Sequence, residues 1–251
     1  MIVSSDKDYM LKMIKKYPIE TLHINGRLKQ EEAQLYLDDL DQPRVGVLVH
    51  DGWMAPFSED PDAMVDALTT LIDKDHVSFC GLPLNMANPI IEGLVDFRMK
   101  WVEECVLYYL PEAEYETYLE ADTSLDDLQE KDIPIIDKYY TYRSDDSQDY
   151  LLACIRRGPS SVVRDDQGQP ISWALLREDG SLGVMYTLEA YRKQGLALTV
   201  SRDLIKKVIK AGYQPYVHIV VDNYPSRNLA EHLNMVHYDE ILWFGMERIK
   251  D

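Results

Sequence analysis

Residues 182–212 constrain this chain more than any other stretch. An apolar run, Leu182-Gly183-Val184-Met185-Tyr186-Thr187-Leu188, is followed closely by Arg192-Lys193-Gln194-Gly195-Leu196-Ala197. A helical pattern comes next. Leu196, Val200, Leu204 and Val208 recur every four residues, with Ala197, Ser201, Ile205 and Ile209 beside them. Arg202, Asp203, Lys206, Lys207 and Lys210 are expected on the opposite face, and Gly212 ends the pattern. The stretch therefore reads as a strand, a tight turn and an amphipathic helix. The first turn of such a helix offers N–H groups with no partner in the helix and the positive end of its dipole. Gly195 lets the backbone approach an anion with no Cβ in the way, and Ala197 keeps that approach clear. Arg192 and Lys193 add positive charge. The expectation is a diphosphate cradle.

The rest of the composition narrows the partners. The chain has 251 residues, enough for two small domains, and is 46% hydrophobic and 28% charged, as a globular protein should be. A net charge of -18 repels phosphate backbones and anionic lipid heads, so neither nucleic acid nor a membrane surface is an expected partner. Cys80, Cys105 and Cys154 are odd in number and widely spaced, which fits neither a disulfide framework nor a metal site. A reducing, cytoplasmic location is expected, with a mitochondrial one left open. No run approaches the roughly 18 apolar residues that span a bilayer.

The chain divides best after the apolar run that ends at Leu110, giving an α/β domain over 1–112 and a second domain over 113–251. In the first, helices are expected over 6–16, 30–39, 60–72 and 87–97. Strands are expected over 21–25, 45–49, 76–80 and 101–109. His23 and His50 read as core or surface residues. In the second, a strand is expected over 115–120, then helices over 124–140 and 147–157, the latter stopping at Gly158-Pro159. Strands follow over 160–164, 171–177 and 182–188. After the long helix come a strand over 216–221, a short helix over 225–233 and a strand pair within 236–248.

Arg192-x-x-Gly195-x-Ala197 in this context resembles the phosphate signature of the GNAT acyltransferase superfamily. Cys154-Ile155-Arg156-Arg157-Gly158-Pro159-Ser160, Gly168-Gln169-Pro170-Ile171-Ser172-Trp173 and Tyr186-Thr187-Leu188-x-x-Tyr191-Arg192 resemble its glycine N-acyltransferase-like (FR47-like) branch. The resemblance implies an α/β (α+β) chain. Its C-terminal GNAT fold would have a mixed, mostly antiparallel sheet splayed between the family's fourth and fifth strands. A smaller α/β domain would precede it, for which a degenerate GNAT-like half is one reading.

The same resemblance implies where acyl-coenzyme A, acetyl-CoA or another, would lie as co-substrate, with no metal. Backbone groups of Met185, Tyr186 and Thr187 would pair with the pantetheine arm. The diphosphate would sit on Arg192, Lys193, Gln194, Gly195, Leu196, Ala197 and Leu198, with Asn223 and Arg227 assisting. The family's glutamate base falls at Ser181, with Glu178 and Asp179 nearby in a turn. Its tyrosine acid falls at Ala230. His218, five residues before Asn223, is then the candidate base, and Tyr224, Tyr238 or water the candidate acid. The implied function is transfer of an acyl group, acetyl first, to the amine of a small molecule or amino acid, by a monomer or homodimer. The alternatives are a non-catalytic CoA-binding or interaction module of the same fold, and a scaffold with no CoA site.

Overall fold

The computed structural model describes residues 1–250. Two compact units are present, and both are discontinuous in sequence. One comprises Met1–Leu107, His218–Asp222 and the residues from Tyr238 on; the other comprises Tyr108–Val217 and Asn223–His237. The sequence reading cuts the chain once, after residue 112. The physical reason for the extra crossings is strand pairing, because two late strands belong to the sheet that the early part begins.

In chain order the first elements are β1 (Ile2–Ser4), α1 (Asp8–Ile14), α2 (Leu22–Leu28), β2 (Gln34–Leu37), β3 (Val45–His50), β4 (Trp53–Ser58), α3 (Pro61–Leu71), β5 (His76–Pro83), α4 (Leu84–Gly93) and β6 (Phe97–Tyr109). There follow α5 (Tyr115–Leu119), α6 (Ile133–Lys138), α7 (Ser147–Arg157), β7 (Ser160–Arg164), β8 (Pro170–Leu176), β9 (Leu182–Thr187), α8 (Leu196–Lys210), β10 (Tyr216–Val220), α9 (Tyr224–His232) and β11 (Val236–Arg248). Among the described residues the strands form an eight-stranded sheet, ordered β1-β2-β3-β4-β5-β11-β6-β10, and a three-stranded one, β7-β8-β9. The eight-stranded sheet is mixed, since β4 and β5 run parallel while β1–β2, β2–β3, β3–β4 and β5–β11 are antiparallel. The mixed α/β class is as expected. The two strands expected to splay apart, β9 and β10, are each the outer strand of a different sheet.

In the unit that holds the larger sheet, β3 turns into β4 through Asp51 (φ 48) and Gly52 (φ 76), with His50 paired to Trp53. Two left-handed residues in a two-residue loop match the twist of the flanking strands. The sequence reading omits β4 although Asp-Gly between apolar runs announces it. Gly46 permits α1 to press on β3, because a Cβ there would lie 2.6 Å from Met10 Sδ. Phe79 and Phe244, paired across β5 and β11, stack with centroids 4.8 Å apart.

In the other unit α8 lies on β7–β9. Val200, Leu204, Ile205 and Val208 are at most 1% exposed, each contributing roughly 1.5–3 kcal/mol by burial. A second cluster centres on Trp173, with Leu128, Ile136, Leu151, Cys154, Val162 and Leu175. Asp203, expected on the outer face of α8, is buried: Oδ2 accepts from Ser161 Oγ at 2.6 Å and Lys207 Nζ at 3.0 Å, and Oδ1 from Leu125 N at 3.1 Å.

Several expected elements differ. The stretch 21–25 is not a strand but leads into α2, where exposed Asn25 and the exposed C-cap Lys29 lie four apart. The expected helix over 30–39 is instead β2, where Leu35 and Leu37 are fully buried in alternation with Gln34 and Tyr36. Residues 115–119 are helical because Tyr115 and Tyr118 share one face, donating to Gln214 Oε1 at 2.8 Å and Leu233 O at 2.6 Å. The expected helix over 124–140 shrinks to α6. Ahead of it, Leu125 N is taken by Asp203, Leu128 N by Ser160 Oγ, and Asp126 bridges to Val162, so the backbone stays extended. Helix α4 starts earlier than expected, behind Pro83. The expected final strand pair is one strand, β11, with its register shifting between Leu242 and Phe244.

Candidate functional site

The conformation of β9 is unusual at one point. Trp173 pairs with Tyr186 and Leu175 with Gly183, so Ala174 alone faces Val184 and Met185. This is a bulge, and Val184 sits at φ 50. A β-branched residue in the left-handed region is an outlier that its surroundings must hold in place. Nothing in the sequence announced it. Met185 is exposed on the α8 side, where Ser201 Oγ lies 3.8 Å from its Sδ. As the outer strand of its sheet, β9 presents a backbone edge to which an extended amide-bearing arm can pair.

From the end of β9 the chain makes a short 3-10 turn over Glu189–Tyr191 and reaches the turn anticipated from sequence. Arg192 is extended (φ -68, ψ 162), Lys193 is left-handed (φ 61), and Gly195, which precedes α8, is left-handed again (φ 80, ψ -1). A Cβ on Gly195 would meet no protein atom within 4 Å. The glycine is thus required by its φ, and the space above it is open to an anion. Gly195 O accepts from Thr199 N at 3.0 Å and Thr199 Oγ1 at 3.2 Å, which closes the first turn. The N–H groups of Leu196, Ala197 and Leu198 precede any carbonyl of their own helix that could take them. Arg192, Lys193, Gln194 and Gly195 are exposed, and Leu196–Leu198 half-buried. The residues present fit a diphosphate.

Arg192 is less free than a surface arginine. Its Nε donates to Thr187 O at 3.1 Å and its Nη2 to Tyr186 Oη at 3.1 Å, while Glu189 Oε1 lies 3.6 Å from Nη1. Thr187 Oγ1 is in turn 2.8 Å from Ser172 Oγ.

The remaining expected residues are placed as follows. Asn223 caps α9, its Oδ1 accepting from Ser226 N at 3.2 Å. Tyr224 is 62% exposed in the first turn of α9, and the Arg227 guanidinium lies 5.8 Å from its ring centroid. A hydrogen bond to the Tyr108 hydroxyl pushes the Arg227 pKa further up. Both residues lie in the same unit as the turn. His218 lies on β10, in the unit that holds the larger sheet, half-buried, and Trp243 Nε1 donates to its Nδ1 at 3.2 Å. A Cβ on Gly81 would come within 2.7 Å of the same ring. Tyr238, on β11, donates to Glu20 Oε1 at 2.5 Å.

Ser181, standing where the family's glutamate falls, is 1% exposed and donates through N (2.9 Å) and Oγ (2.6 Å) to Asp179 Oδ1. Tyr216 Oη donates to Asp179 O at 2.7 Å. Beside this turn Arg177 Nε donates to Tyr150 Oη at 3.2 Å, and Tyr140 and Tyr150 stack 6.0 Å apart. Burial pushes the Cys154 thiol up to about 12, so at neutral pH it is not a thiolate nucleophile. Ala230 is 3% exposed and offers no proton. Among the described residues no group of three or more His, Cys, Asp and Glu is placed to hold a metal ion.

The family described as FR47-like protein matches residues 161–244, the stretch from β7 to β11 that carries this turn. A glycine N-acyltransferase-like protein of Mus musculus is 28% identical over 225 residues, covering 79% of this chain and 73% of that one. In both matches the chain is similar to proteins of the glycine N-acyltransferase-like branch of the GNAT superfamily. A solved protein from Drosophila superposes with a TM-score of 0.83 at 17% identity, covering 99% of this chain and 98% of that one. A solved tandem GNAT protein from the clavulanic acid biosynthesis pathway covers 92% of this chain and 88% of its own, with a TM-score of 0.61 at 10% identity. These two likenesses concern the fold. Among the described residues no helix is long and apolar enough to cross a membrane.

Proposed function

We propose that this protein is a CoA-dependent N-acyltransferase of the GNAT type that moves an acyl group, acetyl being the first to test, from acyl-CoA to the amine of a small molecule or amino acid. The observation that carries the reading is the run from the bulged outer strand β9, through left-handed Gly195, to the open N-terminus of α8. Residues 113–251 are the acyl-CoA-binding domain in this reading, preceded by the α/β domain of residues 1–112.

The diphosphate sits on residues 192–198, taken by the N–H groups at the start of α8 and the helix dipole. Backbone groups of Met185, Tyr186 and Thr187 pair with the pantetheine arm, with Asn223 and Arg227 beside its path. The arm then brings the thioester toward the bulge at Val184. A neutral amine attacks the carbonyl carbon, charge gathers on its oxygen, the C–S bond breaks and the thiolate leaves with the amine's proton passing to a base or water.

His218 and Tyr224 are the proposed proton-handling residues. The Trp243 hydrogen bond bears on how His218 works. A neutral imidazole that accepts at Nδ1 carries its proton on Nε2. His218 in that form has an Nε2 proton to donate, and it takes a proton only by giving up Trp243. The bond to Trp243 therefore supports a donor role above that of the base.

Purified full-length protein, given acetyl-CoA and longer acyl-CoAs with a panel of amino acids and small amines, should release free CoA thiol. Release no greater than without acceptor, across the panel, would overturn the proposal. A second reading, a CoA-binding module without turnover, is favoured by Ser181 and Ala230. Calorimetric CoA binding without thiol release would establish it.

A further inference from the structure

Tyr186 stands out among the residues around the turn because its side chain, not only its backbone, is engaged on several sides. It faces Trp173 across the β8–β9 ladder, and the two rings lie 5.7 Å apart. Tyr139, just beyond α6, stacks on it with centroids 4.6 Å apart and planes 19° from parallel. Tyr139 also lies 6.2 Å from Trp173, and Lys138 Nζ is 5.1 Å from the Tyr139 centroid. Trp173 is 1% exposed and belongs to the buried cluster, so the Tyr186 ring is tied to the core of its unit. At its other end the Tyr186 hydroxyl accepts from Arg192 Nη2, and the guanidinium carbon lies 5.3 Å from the ring centroid.

Arg192 is an extended residue between the 3-10 turn of Glu189–Tyr191 and two left-handed residues, Lys193 and Gly195, that follow within three positions. An exposed turn of this shape has few contacts to keep it there. The guanidinium supplies them by folding back onto Thr187 O and Tyr186 rather than reaching outward. A planar fork held at two points loses less freedom when an anion binds than a mobile side chain would. We propose that Tyr186 is a positioning residue for the diphosphate turn: braced by Trp173 and Tyr139, it fixes Arg192 against the end of β9 and so presets the backbone that receives the anion. The inference rests on the reading of the turn as an acyl-CoA site.

The test compares three ligands by calorimetry on the full chain: CoA, ADP (diphosphate without the arm) and pantetheine (arm without the diphosphate). Tyr186→Leu should weaken CoA and ADP by the same factor, about tenfold or ~1.4 kcal/mol, and pantetheine by less than twofold. Tyr186→Phe keeps the ring stack and loses the acceptor oxygen, so about threefold is expected. Arg192→Ala combined with Tyr186→Leu should add little beyond either change alone, because both remove one clasp. Equal losses for all three ligands would overturn the proposal by showing a general disturbance of the unit, and an unchanged CoA affinity would overturn it outright. If Tyr186→Leu fails to fold, Tyr186→Phe and Arg192→Lys, which lacks the fork, decide the matter on the same ligands. Wild-type protein that binds neither CoA nor ADP would overturn the acyl-CoA reading itself, a result distinct from a variant-specific null.

Discussion

The diphosphate turn and the positions expected to move protons are built in opposite ways. The turn is one contiguous stretch whose working parts are backbone: a left-handed glycine, the first N–H groups of α8 and a side-chain clasp from the preceding strand. The proton-handling positions come from separate elements, and their side chains are committed to packing. Ser181 holds Asp179, Ala230 is buried, and His218 is held by Trp243. Binding a diphosphate asks only for local geometry. Proton transfer asks for a basic atom with a lone pair to offer. Under the proposed function, the contrast predicts firm CoA binding with proximity supplying much of the rate.

The largest expected effect tests the turn. Gly195→Trp should weaken CoA binding at least ~100-fold, about 2.7 kcal/mol, by filling the space above α8. Because no protein atom lies near that space, the unfolding midpoint should fall only by the strain of a left-handed non-glycine residue, roughly 1–2 kcal/mol. Unchanged CoA affinity would break the comparison at its stronger end.

Next comes His218. His218→Ala should lower kcat ~30-fold, about 2 kcal/mol, whereas His218→Gln, which keeps a donor near the place of Nε2, should stay within roughly fivefold of wild type. A Gln variant as slow as the Ala variant would return His218 to the role of base, and steady-state kinetics of both decides it.

Ser181→Ala should cost roughly 1–3 kcal/mol of stability, since the buried Asp179 carboxylate loses its hydroxyl donor, with kcat within a factor of two. A large fall in kcat at unchanged stability would make Ser181 chemical rather than structural.

The smallest effect separates the scaffold from both regions. Burial would raise the Asp132 carboxyl, but the Arg164 fork and the Gln129 N–H hold it below its ordinary value. The Ser147 hydroxyl, with Gln148 and Arg143, holds Asp137 down as well. Groups depressed in the folded state stabilise it above the unfolded carboxylate value of about 3.9, and that stabilisation is lost as pH falls through their folded values. The thermal midpoint should therefore be flat from about pH 7 to 5 and fall below about pH 4, with a shallower fall in Asp137→Asn.

Much of this was legible in the chain. Periodicity and glycine placement located α8, its preceding strand and the turn, because each is set by residues within about ten positions of one another. Helices α3 and α7 and strands β3 and β5 were found the same way. Short apolar stretches misled for a physical reason. Residues 21–25 alternate polar and apolar as a strand would, yet Leu22, His23 and Ile24 are all buried in a helix, and 34–37 alternate only once the flanking strands are seen. The Asp51-Gly52 hairpin is readable from its turn residues alone.

What the sequence by itself determined is the strand, left-handed glycine and helix of residues 182–210, since a glycine between a strand and an amphipathic helix dictates its own backbone. Tertiary structure alone decided the rest. The bulge that puts Val184 at positive φ depends on how β8 registers against β9. The brace on Arg192 needs Tyr139, 53 residues away in the chain, stacked on Tyr186. The tautomer of His218 is set by Trp243, 25 residues downstream. Local backbone preference acts over a few residues and can be read in order; side-chain partnerships between distant strands and helices exist only after the chain has closed on itself.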